Sequence, residues 1–154
     1  MELVKWIDAS INNDISLMEK YISQGFDINS KDDEETNALM WASIYGHAPI
    51  VEYLIENGAK LNEQDVEGNT ALLWAIRCNI PEVVELLVEA GADIKIKDYK
   101  NRGVFDFKRN YWRLVEGQEY IMTKFQFLIP DFKKKIDNLD IHDSIIEKYG
   151  DLLK

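Results

Sequence analysis

Three stretches of this chain match one another at a spacing of 33 residues. Asp27 to Asp32 reads D-I-N-S-K-D, Lys60 to Asp65 reads K-L-N-E-Q-D, and Asp93 to Asp98 reads D-I-K-I-K-D. A-L-M-W-A at Ala38–Ala42 returns without a gap as A-L-L-W-A at Ala71–Ala75. Gly25, Gly58 and Gly91 fall on one beat of the period, and Glu19, Glu52 and Glu85 on another. A fixed period of this length marks a solenoid, in which each unit buries its apolar face against its neighbours. Such surfaces usually bind partners and rarely do chemistry.

Each unit predicts two antiparallel helices and a turn. Asn37 is placed to cap a first helix over Ala38–Tyr45, and Gly46 to end it as a residue able to take positive φ. Pro49 then stands at the start of a second helix, where its missing N–H costs nothing. Ile50, Val51, Leu54 and Ile55 form that helix's apolar stripe, and Gly58 stops it. The next unit repeats the pattern with Thr70 as cap, Pro81 at the second start and Gly91 at the end. Asp65 to Gly68 and Asp98 to Asn101 are polar and turn-like.

The ends depart from the inner pattern, as end caps of a solenoid do. Lys5 and Asp8 stand where Ala38 and Trp41 stand one unit later, so that face is expected to meet water. Asn101 to Phe107 starts in register, but Lys108 lands where Ala42 and Ala75 pack. The units are therefore placed at about 2–34, 35–67, 68–100 and a partial 101–110. Residues 111–154 leave the period. Ile121, Phe125 and Leu128 suggest one helix ended by Pro130, and Phe132, Ile136 and Leu139 a second. Ile145, Ile146, Tyr149 and Leu153 suggest a third. This extension is expected to cover the open end of the array within one compact domain.

The pattern resembles the ankyrin repeat family, whose motif runs G-x-T-P-L-H-x-A-x-x-x-G-H and then a helix ending L-L-x-x-G-A-D-(V/I)-N. Gly68 to Ala75 carries the first half, Gly46-His47 the G-H, and Tyr53 to Asn62 the second half, repeated by Leu86 to Ile94. The Pro of the motif is Ala38 and Ala71, and its His is Met40 and Leu73. The resemblance covers about residues 4–110. It implies an all-α solenoid of stacked helix-turn-helix units with short hairpin fingers, closed by the C-terminal helical cap.

By the same resemblance the binding surface is the finger tips and the concave face of the first helices. Carried over position by position, the fingers present Asp33, Glu34, Thr36, Val66, Glu67, Asn69, Tyr99, Lys100 and Arg102. The inner-helix exits present Asn12, Ile44, Tyr45, Arg77, Cys78, Asn110 and Tyr111. Tyr, Arg and exposed Ile are residue types that anchor interfaces.

Charge narrows the partner. The chain carries a net −10, and residues 1–100 alone hold 19 acids against 8 bases. Such a surface repels phosphates, so nucleic acid is not expected as a ligand, and a basic protein is. The leading reading is a non-enzymatic protein-binding module. A sharper version is an immunity protein or other inhibitor that neutralises a basic toxin such as a nuclease, a role small ankyrin proteins have in bacteria. The alternatives are a regulatory module whose activity lies in residues 111–154, or a structural piece of a larger complex.

No catalytic or metal constellation competes with this reading. His47, His142 and Cys78 are far apart, and no G-x-S-x-G, phosphate-cradling Gly loop or H-E-x-x-H occurs. His47 is expected to bond nearby backbone, and Cys78 to be a buried or idle thiol. Asp32 to Glu35 lacks the alternating ligands and mid-loop Gly of an EF-hand and reads as a solvated acidic finger. Trp41 and Trp74 read as core rather than a ligand-stacking ladder. No cofactor, metal or membrane is expected, and a single cysteine with no long apolar run points to a cytoplasmic protein, monomeric when free.

Overall fold

The computed structural model describes residues 1–104 and 106. They form six helices: α1 (Glu2–Ile11), α2 (Ile15–Ser23), α3 (Ala38–Tyr45), α4 (Ala48–Glu56), α5 (Ala71–Arg77) and α6 (Pro81–Glu89). Consecutive helices pair as hairpins, α1 with α2, α3 with α4 and α5 with α6. Helices α1, α3 and α5 pack side by side as an inner layer, and α2, α4 and α6 as a looser outer one. The partial unit beyond Asp106 and the C-terminal cap expected over 111–154 lie outside the described residues.

Local chemistry sets the helix ends where the period requires them. The Asn37 side chain accepts from Met40 N, and Thr70 from Leu73 N, so α3 and α5 each start on a side-chain cap. Asp14 caps α2 in the same way, through Leu17 N. Positive φ recurs three times per unit, at Asn13, Gly46 and Asn79, at Gly25, Gly58 and Gly91, and at Glu35, Gly68 and Asn101. Each set is spaced by 33 residues, so the backbone reversals repeat even where the glycine does not.

The core repeats too. Leu39 and Leu72, Ala42 and Ala75, Ile50 and Val83, and Leu54 and Leu87 are buried pairs in register. Trp6 takes the Leu39 position in the first unit and is fully buried, with its ring against Phe26 at 5.3 Å and Tyr21 at 6.3 Å. Lys5 and Asp8 are exposed, as expected for an end unit.

Polar side chains tie each unit to the next. Asn29 Oδ1 accepts from Lys60 N at 2.8 Å, and Asn62 Oδ1 accepts from Asp93 N at 2.9 Å. Lys95 holds the next beat of this series and has no acceptor to continue it. Lys31 Nζ donates to Gln64 O at 3.2 Å, and Gln64 Nε2 donates to Lys97 O at 3.1 Å. His47 Nε2 lies 2.7 Å from Ile11 O in the unit before it, which fixes a structural role and puts the proton on Nε2.

Candidate protein-binding surface

One aspartate organises each finger. Asp32 Oδ1 accepts from Glu34 N and Thr36 N, and Asp65 Oδ1 from Glu67 N and Asn69 N. Asp98 Oδ1 accepts from Lys100 N and Arg102 N. The second carboxylate oxygen reaches the inner layer. Trp41 Nε1 donates to Asp32 Oδ2 and Trp74 Nε1 to Asp65 Oδ2, both at 2.8 Å. The register puts Phe107 at the next Trp beat, and phenylalanine has no ring N–H. Asp98 Oδ2 takes the Arg102 guanidinium instead, at 2.7 Å. Burial alone would raise the Asp98 pKa, but hydrogen bonds and the charge of Arg102, with the Lys100 amide, carry it below the usual carboxylate value.

These contacts revise two readings of the sequence. Trp41 and Trp74 are half-buried rather than core, because each indole N–H must reach a finger carboxylate at the edge of the hydrophobic cluster. Asp32 is not a solvated acid, because its own finger and Trp41 occupy both oxygens. The recurrence of Asp at 32 and 65 nine residues ahead of Trp41 and Trp74 was a visible signal for both.

The fingers also bond to one another. Val66 N donates to Glu34 O at 3.2 Å, and Tyr99 N to Glu67 O at 2.9 Å. An isolated antiparallel bridge between Lys31 and Asn37 closes the first finger. The Tyr99 ring lies over Gly68, where an added Cβ would sit 2.7 Å from it. Tyr99 is thus held in place while 70% exposed.

The expected contact residues that are described divide in three. Asp33, Glu34, Val66, Glu67, Tyr99 and Lys100 stand exposed on the fingers, and Tyr45 and Cys78 on the inner-helix exits. Ile44, Arg77 and Arg102 are half-buried. Arg77 lies over the Trp74 ring at 4.4 Å and donates to Asn69 Oδ1 at 2.9 Å, with Glu67 at 3.6 Å. Thr36 and Asn69 are buried, so these two offer no side chain at the finger tips. Their position next to the helix caps turns them into the scaffold. Asn110 and Tyr111 lie outside the described residues. Tyr45 stacks on His47 with rings 6.0 Å apart.

The Cys78 thiol is exposed rather than buried. What covers it pushes its pKa above the usual value, against the pull of Arg77. A raised pKa leaves less thiolate and makes it a weaker nucleophile than an ordinary cysteine. Among the described residues no group of three or more His, Cys, Asp or Glu could hold a metal ion. No helix among them is long and apolar enough to cross a membrane.

A family model for ankyrin repeats, in three copies, matches residues 6–98. The chain belongs to the ankyrin repeat family. The match covers the three units described above and stops at the third finger. A search of curated proteins gives no match to this chain. Ankyrin repeats are generally protein–protein interaction modules and typically lack enzymatic activity. The all-α solenoid expected from the repeat pattern is the fold observed.

Proposed function

We propose that this ankyrin protein binds a basic protein surface through its finger row and inner-helix exits, and does no chemistry of its own. The observation that carries the reading is the row of exposed anchors. Val66 and Tyr99, 50% and 70% exposed, stand on the fingers with the exposed carboxylates of Asp33, Glu34 and Glu67, and Tyr45, 53% exposed, stands at the C-terminal end of α3. Apolar groups exposed on a backbone held by its own hydrogen bonds give contact area at little ordering cost. The acid around them favours a cationic partner and disfavours nucleic acid. An inhibitor that neutralises a basic toxin such as a nuclease is the specific form of this reading, supported by the same charge. The protein acts in the cytoplasm as a monomer until it meets its partner.

Affinity capture from the source cell tests the proposal. The wild-type chain should retain a basic protein that the Tyr45→Ala/Tyr99→Ala variant loses. A Glu52→Lys/Glu85→Lys variant, altered on the outer helices, should retain it. Capture that survives the tyrosine changes and fails with the outer-helix changes would move the binding face to the other side.

A further inference from the structure

The charge of the finger row changes sign along the solenoid. The first finger, residues 31–36, holds Asp32, Asp33, Glu34 and Glu35 against Lys31, a net −3. The second, residues 64–69, holds Asp65 and Glu67 and no base, a net −2. The third, residues 97–102, holds Lys97, Lys100 and Arg102 against Asp98, a net +2. The outer layer runs the other way. Helix α2 balances Glu19 with Lys20, α4 carries Glu52 and Glu56, and α6 carries Glu82, Glu85 and Glu89. The acid excess of the chain is therefore split between the first two fingers and the back of the last two units.

Apolar side chains replace the acid of the first finger on the next two. Val66 and Tyr99 occupy the same beat as Asp33, one and two units on, and Tyr99 is packed on Gly68 and bonded to Glu67 O. The row thus runs from an acidic first finger, through Val66 beside Glu67 on the second, to Tyr99 beside Lys100 on a basic third. Packed helices lie about 8–10 Å apart, so the row spans roughly 16–20 Å from first finger to third.

We infer that the partner presents a strip of matching polarity, with a cationic end on Asp33 and Glu34, an apolar centre on Val66 and Tyr99, and an anionic end on Lys100. This deepens the reading under Proposed function and rests on it. A uniformly basic surface would gain at the first finger and be repelled at the third. A strip of mixed sign gains at both and is held in one direction, because like charges set against each other penalise the reversed pose.

The probe is a short synthetic peptide with a trilysine block at one end, a triglutamate block at the other and leucines between. A nitroxide is attached at either end, and paramagnetic broadening of the protein's amide signals is read at low salt. The label on the lysine end should broaden Asp33 and Glu34, and the label on the glutamate end should broaden Lys100. Both effects should vanish at high salt. The Asp33→Lys/Glu34→Lys/Lys97→Glu/Lys100→Glu variant, changed only at exposed side chains, brings the first finger to +1 and the third to −2 and should exchange the two patterns. Equal broadening of the fingers by both labels would overturn the polarity while leaving the concave face as the binding face. Broadening centred on α4 and α6 would overturn both. An unbroadened spectrum at millimolar peptide would overturn the polarity, since the complementary charges would then give no attraction.

Discussion

Trp74 Nε1 donates to Asp65 Oδ2 at 2.8 Å, across the boundary between a finger and the helix behind it. Asp65 is only 4% exposed, and its other oxygen already holds two amides of its own finger. One carboxylate therefore shapes the finger and fixes it to the inner layer.

Removing the indole N–H while keeping a ring isolates that link. Trp74→Phe should destabilise the protein by about 1.5–3 kcal/mol, the range for a hydrogen bond to a charged group. Trp41→Phe should cost less, because Asp32 is less buried and water can replace the donor. Urea unfolding of the two variants checks the order, and equal losses would contradict it.

Asp98 should make the third finger sensitive to acid. Its carboxyl titrates below the usual value in the folded protein, while unfolded it returns to about 3.9. The stabilisation is present above the unfolded pKa and disappears as pH falls through the folded one. Stability measured from neutral pH downward should drop below about pH 4. Arg102→Gln should flatten part of that drop, since Arg102 is the main group holding the pKa down. An unchanged pH profile in the variant would assign the acid sensitivity elsewhere.

Glu35 and Gly68 share one beat and one backbone conformation, at φ 57° and 84°. Their substitutions should have opposite signs. Gly68→Ala places a Cβ 2.7 Å from the Tyr99 ring and backbone nitrogen, so it should destabilise. Glu35→Gly relieves a left-handed residue that costs roughly 1–2 kcal/mol, less the entropy glycine loses on folding, so it should stabilise modestly. Thermal melts of the two variants give the comparison.

Binding kinetics separate charge from anchors. Glu34→Lys and Glu67→Lys should slow association with the captured partner, and added salt should slow the wild type, since exposed charges are screened over about 8 Å at physiological ionic strength. Tyr45→Ala or Tyr99→Ala should instead speed dissociation, by roughly 1–3 kcal/mol in affinity. Association indifferent to salt would remove the electrostatic part of the proposal.

The 33-residue period, the helix starts at Ala38 and Ala71, the capping by Asn37 and Thr70 and the turns at the glycines were all legible in the sequence. Each is decided within a few residues: a cap reaches three residues ahead, and a positive φ belongs to one residue. Exposure at the first unit was legible for the same reason, since Lys5 and Asp8 break an otherwise apolar register. Other features depended on groups brought together by stacking. Asn29 meets Lys60 across 31 residues, and His47 meets Ile11 across 36. Burial of Thr36 and Asn69 follows from how each finger folds onto the helix behind it. Half-burial of Trp41 and Trp74 follows from the carboxylates they must reach. The net charge was known from the residues alone, but its division between fingers and outer helices was not. Composition sums charges without direction, and only the packed solenoid decides which face each one occupies.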